Sequence, residues 1–259
     1  MLVGTGRFLG RGRYKAFGLI LEGLGCYFFV SLLGAYLSVV ICTFVTNLVD
    51  TDLVRADALL GFAWDTSVLG WSDHRGIFVV LSMAYSTLAW QPVVLMGVIV
   101  TRTAPECLWN FLAAWSLALA VTLLCFPFFP AVGNMTARGI GREDLPHAMV
   151  SSGWTYGEHI LAIRKGLVQS IGRGELDGLV TFPSFHAAGA VILMAGWCQA
   201  QRIGIPFVIL NFIMIVSALA IGGHYLVDVL AGIVLALACV AGVFYMPSVR
   251  TASPPPARQ

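Results

Sequence analysis

The run LVDVLAGIVLALACVAGVFY, residues 226–245, contains one charged residue, Asp228, in twenty. At 1.5 Å per residue, a helix of that length reaches about 30 Å, the thickness of a bilayer's hydrocarbon core. Working back from it, five more apolar segments of similar character lie at 25–48, 77–101, 108–129, 185–200 and 205–221. The expected fold is therefore all-α. It is a polytopic membrane protein, a six-transmembrane helix bundle forming one domain over 1–246, with an interfacial helix or two in the outward loops.

The composition agrees. Of 259 residues, 58% are hydrophobic and 11% charged, against about 25% charged in soluble domains. The mean hydropathy is +0.86. A soluble globule of this make-up would expose too much apolar surface to stay monomeric. The net charge of +2 supplies no basic stripe, so nucleic acid is excluded as a partner. Five of the six cysteines (Cys26, Cys42, Cys125, Cys198 and Cys239) sit inside apolar runs, where the thiol acts as a small hydrophobe. Cys107 lies at the edge of one. No CxxC or Cys/His cluster is present, so no structural zinc site is expected.

Six spans place both termini on one face. Arg7, Arg11, Arg13, Lys15, Arg102, Arg202, Arg250 and Arg258 fall on that face, and the opposite face carries seven cations among ten acids. The excess of Lys and Arg in short loops marks the cytoplasmic side. The first apolar stretch is too long for a signal-peptide core and lacks a small-residue cleavage site, so it is expected to be an uncleaved span. The two long loops, 49–76 and 130–183, then face outward, into a periplasm or an organelle lumen. A bacterial inner membrane with a periplasmic site is the expected setting. A connection as long as the second is uncommon unless it is functional. Its patterned stretch 156–167 reads as a short interfacial helix. Residues 57–71, with Trp64 and Trp71, read as an aromatic anchor at the interface. The tail 247–259, with Pro254, Pro255 and Pro256, reads as disordered.

Ionisable residues near membrane depth are default functional candidates because they are costly there. They gather at two helix starts. Thr181-Phe182-Pro183-Ser184-Phe185-His186 opens the fourth span. The free N–H groups and positive dipole end of such a helix suit an anion, phosphate above all. Ser184 adds a hydroxyl. Taken alone, a serine N-cap beside a headgroup-anchored histidine is an equally good reading. Gly222-Gly223-His224-Tyr225-Leu226-Val227-Asp228 lies between the fifth and sixth spans. His224 and Asp228, four apart, share a helix face. A carboxylate on one imidazole nitrogen leaves the other free to attack or take a proton. A self-satisfied His–Asp pair is the bland reading, less attractive at membrane depth. Phosphate also wants a cation. Arg138, Arg142, Arg164, Lys165 and Arg173 are the candidates in the loop; Arg164 and Lys165 stand out because they end the patterned stretch leading to Phe182.

FPSFHA at 182–187 and GGHYLVDVLAG at 222–232 resemble the second and third signature motifs of the type 2 phosphatidic acid phosphatase superfamily. The run ELDGLVTFPSFHAA looks closest to the branch of inositol phosphorylceramide synthase-like phosphotransferases. The resemblance is strong over 161–232 and elsewhere rests on hydropathy. It implies that His224 takes the phosphoryl group as a phosphohistidine and that Asp228 orients it. It implies that His186 protonates the leaving alcohol and then activates the incoming water or alcohol. It assigns phosphate contacts to Ser184 and the backbone around it, and implies neither metal nor cofactor; independently of it, the pair Gly222 and Gly223 lets the backbone turn tightly and approach a ligand, which makes Gly223 a candidate substrate contact. Two departures stand. The first motif, a lysine followed by Arg-Pro, has no counterpart, and Arg164 with Lys165 is the substitute by position. The third motif usually opens Ser-Arg, but Ser217 is followed by Ala218. The loss of one clamp bears on substrate type more than on reaction type.

The leading expectation is a membrane lipid phosphatase acting on a phospholipid or polyprenyl phosphate or pyrophosphate. The first alternative is a phosphotransferase sharing the same first half-reaction. The second is a transporter using His186, His224 and Asp228 as a relay, which requires those side chains at the midplane rather than at one interface.

Overall fold

The computed structural model describes residues 15–45, 47–168 and 178–245. Arg7, Arg11, Arg13, Arg173, Arg250, Arg258 and the Pro-rich tail lie outside the described residues. The described residues form helices and connecting loops, with no strand among them. In order they are α1 (Lys15–Cys42), α2 (Asp50–Leu59), α3 (Trp64–Val68), α4 (Arg75–Ser86), α5 (Gln91–Arg102), α6 (Pro105–Cys125), α7 (Gly133–Arg138), α8 (Ser152–Arg164), α9 (Phe185–Cys198), α10 (Ile205–Ala220) and α11 (Leu226–Tyr245).

Four of these are long and apolar enough to cross a membrane: α1, α6, α10 with the short turn before it, and α11. The segment 77–101 reads as one uninterrupted span, but the structure breaks it. Arg75–Ala89 and Gln91–Arg102 meet at a 59° bend, and together they count as a fifth candidate. Pro92 gives the reason. It has no N–H for the carbonyl four residues back, and its ring clashes there, so the helix restarts with proline in its first turn. Polar side chains at and across from the break lie inside the apolar bundle, and they satisfy one another. Gln91 Nε2 donates to Thr87 Oγ1 at 2.7 Å, while Asn211 Nδ2 and Trp197 Nε1 donate to Gln91 Oε1 at 2.8 and 3.1 Å. Unpaired, such groups would cost several kcal/mol in hydrocarbon surroundings. The network thus ties α5 to α9 and α10.

Helix α9 has 14 residues and is apolar but shorter than the others. It packs most extensively against α10 and α11, and also touches α6 and α5. Large side chains such as Phe28, Phe29 and Leu32 on α1, Phe212 on α10 and Leu237 on α11 are exposed. Such a broad apolar exterior fits contact with lipid rather than water. The protein is a membrane protein on these grounds.

The described residues of the two long loops, 49–76 and 130–183, are more structured than the sequence implies. The helix expected over 156–167 is α8, which begins four residues earlier, at Ser152, and packs against α7. It is not a helix lying free on the interface: Trp154, Tyr156 and Ile160 are buried. Trp64 corrects the aromatic-anchor expectation. It is 1% exposed and donates its indole N–H to Leu219 O at 3.0 Å, so it belongs to the core. Trp71 remains partly exposed.

Candidate active site

Helix α10 ends at Ala220, and the chain turns through Gly222 and Gly223 before α11 begins. Gly223 has φ +65°, a left-handed conformation that costs glycine little. Its carbonyl accepts from Asn134 N at 2.8 Å. His224 N donates back to Ala218 O at 3.1 Å, holding the loop on the end of α10.

The first N–H groups of α11 are taken up by carboxylates. Tyr225 N donates to Asp228 Oδ2, Leu226 N to Asp57 Oδ2 and Val227 N to Asp57 Oδ1, each at 2.9 Å. Two acids thus complement the positive end of this helix. Asp57 comes from α2 and is itself buried. Burial raises its carboxyl above the usual range, while the two N–H bonds pull the other way.

Helix α9 begins differently. Ser184 Oγ accepts from Ala187 N, an N-cap. The N–H groups of Phe185 and His186, in the first turn, have no intrahelical carbonyl to reach. Both residues border the cavity described below. The two motifs are stitched together, because Ser184 N donates to Asp228 O at 3.0 Å. One turn along α11 from Asp228, a Cβ on Gly232 would collide with Ser184 O. The glycine is what lets the two helices approach.

These contacts fix His224 and Asp228. His224 and Asp228 are buried, with His224 Nδ1 3.5 Å from Asp228 Oδ2. That is just longer than a well-formed hydrogen bond, and neither His224 Nδ1 nor Asp228 Oδ1 has another partner. Catalytic hydrogen bonds are often long in unliganded sites. The carboxylate beside Nδ1 favours the proton there, leaving Nε2 as the free nitrogen. The His186 ring lies parallel to Tyr85, 4.0 Å between centroids and 10° between planes. Tyr156 faces His224 at 6.3 Å. Burial foremost, with the negative charge of Asp228 added, pushes the Tyr156 hydroxyl well above its ordinary pKa, so it stays a protonated donor.

Both histidines border one cavity of about 490 Å³. Ser152, Tyr156 and Tyr85 line it together with the histidines, as do Tyr27 and Ser38 of α1 and Trp115 and Thr122 of α6. No lysine or arginine is among the described residues that line it. Arg164 is exposed and donates to Val45 O at 3.0 Å, beyond the end of α1; Lys165 follows it, also exposed. Ser184 is fully buried and borders no part of the cavity. The structure therefore brings His186, His224 and Asp228 together and leaves Arg164 and Lys165 outside the cavity. Arg142 lies near Glu158 at 3.8 Å. Among the described residues, no group of three or more His, Cys, Asp or Glu side chains could hold a metal ion.

Several participants carry no motif. Asn134 is fully buried and donates Nδ2 to His224 O at 3.0 Å. Its Oδ1 accepts from Arg138 Nε at 2.9 Å, and Arg138 also pairs with Asp65. Asp50 accepts from Val132 N, Gly133 N and the Tyr225 hydroxyl at 3.0, 3.0 and 2.8 Å. The only sequence signal for these was polar residues within loops too long to be idle.

A protein-family model described as the PAP2 superfamily matches residues 51–242. No curated protein and no solved structure matches the chain.

Proposed function

Because the chain belongs to the PAP2 superfamily, whose members are generally phosphatases or phosphotransferases, we propose that it is an integral membrane lipid phosphatase. Its substrate is a phospholipid or polyprenyl phosphate. The supporting observation is that His186 and His224, from separate segments, border one cavity with Asp228 behind His224.

In this reading His224 Nε2 attacks phosphorus and the bond to the lipid oxygen breaks. His186, protonated, gives its proton to the departing alcohol. The phosphohistidine is then hydrolysed by a water whose proton His186 takes back, which restores the enzyme and releases phosphate. Asp228 stabilises the imidazolium that forms on His224. The first-turn N–H groups of Phe185 and His186 receive the phosphate oxygens, while Ser184, which caps that helix, and the loop at Gly223 act from behind, outside the cavity lining. Arg164 and Lys165, outside the cavity, attract the headgroup on its way in. The bent pair α4–α5 and the short α9 complete six spans, with cytoplasmic termini and a periplasmic site in a bacterial inner membrane.

The test is phosphate release by purified protein from phosphatidic acid, phosphatidylglycerol phosphate and a polyprenyl pyrophosphate. His224→Ala is expected to lose at least about 10³-fold in kcat. Release by that variant at the wild-type rate overturns the mechanism. Transfer to a lipid alcohol shares the first half-reaction, and mass spectrometry with candidate acceptors identifies it by a headgroup-bearing lipid product.

A further inference from the structure

The two histidines are held in different ways. His224 has Asp228 beside its Nδ1, at 3.5 Å. The His186 ring makes no hydrogen bond among the described residues. What it rests on is Tyr85, whose ring lies 4.0 Å away between centroids with 10° between planes. An imidazole turns about a broad, roughly two-fold torsion, so without a hydrogen bond its angle is set by packing. Turning it out of the stack would drive its edge into the Tyr85 ring.

Tyr85 is in turn fixed from several sides. It lies in the last turn of α4, about one turn ahead of the 59° bend, and is 6% exposed. Phe78 and Leu81 of the same helix belong to one buried cluster with it, as do Ala220 and Ile221 at the end of α10. Gly222 leaves it room: a Cβ there would come within 2.9 Å of Tyr85 Cε2 and 3.0 Å of His224 Cδ2. The Tyr85 ring thus adjoins both the His186 imidazole and the turn that carries His224.

A face-to-face contact suits an acid–base group. It uses the flat face of the imidazole and leaves both ring nitrogens clear of the contact, where His186 and Tyr85 border the cavity. In the proposed reaction, His186 gives its proton to the departing oxygen as the P–O bond breaks, and later takes one from water. Each transfer needs a ring nitrogen within hydrogen-bond reach of that oxygen. The angle of the ring therefore decides how well it works.

Resting on the lipid phosphatase reading, we propose that Tyr85 is a positioning residue whose ring sets the angle of His186, so that the acid points at the leaving oxygen. It acts through His186, and it does so with its ring rather than its hydroxyl.

The experiment uses the purified full-length protein in mixed micelles with two probes, dodecyl phosphate and a nitrophenyl phosphate carrying a dodecyl chain. An alkoxide leaves poorly without a proton, whereas a nitrophenolate leaves without one. The value of kcat/KM reports the step that forms the phosphohistidine. Tyr85→Leu is expected to lose about 10²-fold on dodecyl phosphate, as a misplacement of about 1 Å does, but no more than about threefold on the aryl probe. Because the two losses are compared within one variant, a smaller folded fraction cancels. Tyr85→Phe keeps the stacking ring and should hold the alkyl rate within about threefold of wild type; it carries the test where Tyr85→Leu does not fold. Adding Tyr85→Leu to His186→Ala should cost little more than His186→Ala alone, because groups that act as a unit are non-additive. Equal losses on the two probes overturn the inference. So does a Tyr85→Phe rate as low as that of Tyr85→Leu, or a double-variant loss equal to the product of the two single ones. Each of these leaves the phosphatase reading standing. Wild-type protein that releases phosphate from neither probe, nor from phosphatidic acid, overturns both.

Discussion

Replacing Asn134 by alanine tests how the loop bearing His224 is held. The side chain makes two bonds, Nδ2 to His224 O at 3.0 Å and Oδ1 from Arg138 Nε at 2.9 Å. Asn134→Ala removes both, while the main-chain bond from Asn134 N to Gly223 O remains. The His224 carbonyl then loses its side-chain donor in a buried place, at a cost of about 1–3 kcal/mol. Arg138 keeps Asp65 and a quarter-exposed side chain, so water offsets most of its loss. The net destabilisation is about 2 kcal/mol, which leaves a folded enzyme. Activity is the more sensitive readout, because a shift of about 1 Å in a reacting group costs about 10²-fold. The expected result is a kcat lowered 10- to 100-fold with KM within about threefold of wild type, measured as phosphate release alongside thermal unfolding in detergent. Asn134→Asp, which keeps the acceptor for Arg138 but lacks the N–H donor, should lose as much kcat as alanine. A well-folded Asn134→Ala protein with kcat within twofold of wild type refutes the positioning argument.

Asp57→Ala strips two N–H bonds from the start of α11 and should cost about 1–2 kcal/mol, as loss of an N-cap does. An unchanged unfolding midpoint in the detergent-purified variant contradicts it. Gly232→Ala forces α11 off Ser184 O. An overpacking cost of about 1–3 kcal/mol is expected, together with a fall in kcat, since Asp228 lies one turn away; wild-type kcat and stability together would show that the close approach is dispensable. Arg164→Ala should raise KM several-fold with little change in kcat and weaken the dependence of KM on salt. A KM that does not move removes Arg164 from substrate capture.

The spans and the two motif segments were legible because hydropathy and local spacing encode them. The run 226–245 announces its helix by composition, and His224 with Asp228 share a face through helical periodicity alone. The bend at Thr87–Trp90 was signalled by Pro92, yet the apolar residues around it concealed the break. Trp64 reads as an interface residue because it lies in a loop near a span, but whether its N–H meets water or Leu219 O depends on how α3 packs. Asn134, Asp50 and Asp57 were invisible as site residues. Each acts on a segment far along the chain, and no local pattern marks a carboxylate that caps a helix some 170 positions away.

The sequence by itself determined the solvent of this protein and singled out its candidate reactive groups. Transfer free energy depends on composition, and the His–Asp pair depends on a four-residue spacing. Only the tertiary structure decided which groups share a cavity. It placed His186 against Tyr85, joined Ser184 N to Asp228 O, left Arg164 outside the cavity and left the Trp115 N–H without an acceptor. Those are relations between distant segments, set by how closely helices can pack and by which buried polar groups find partners.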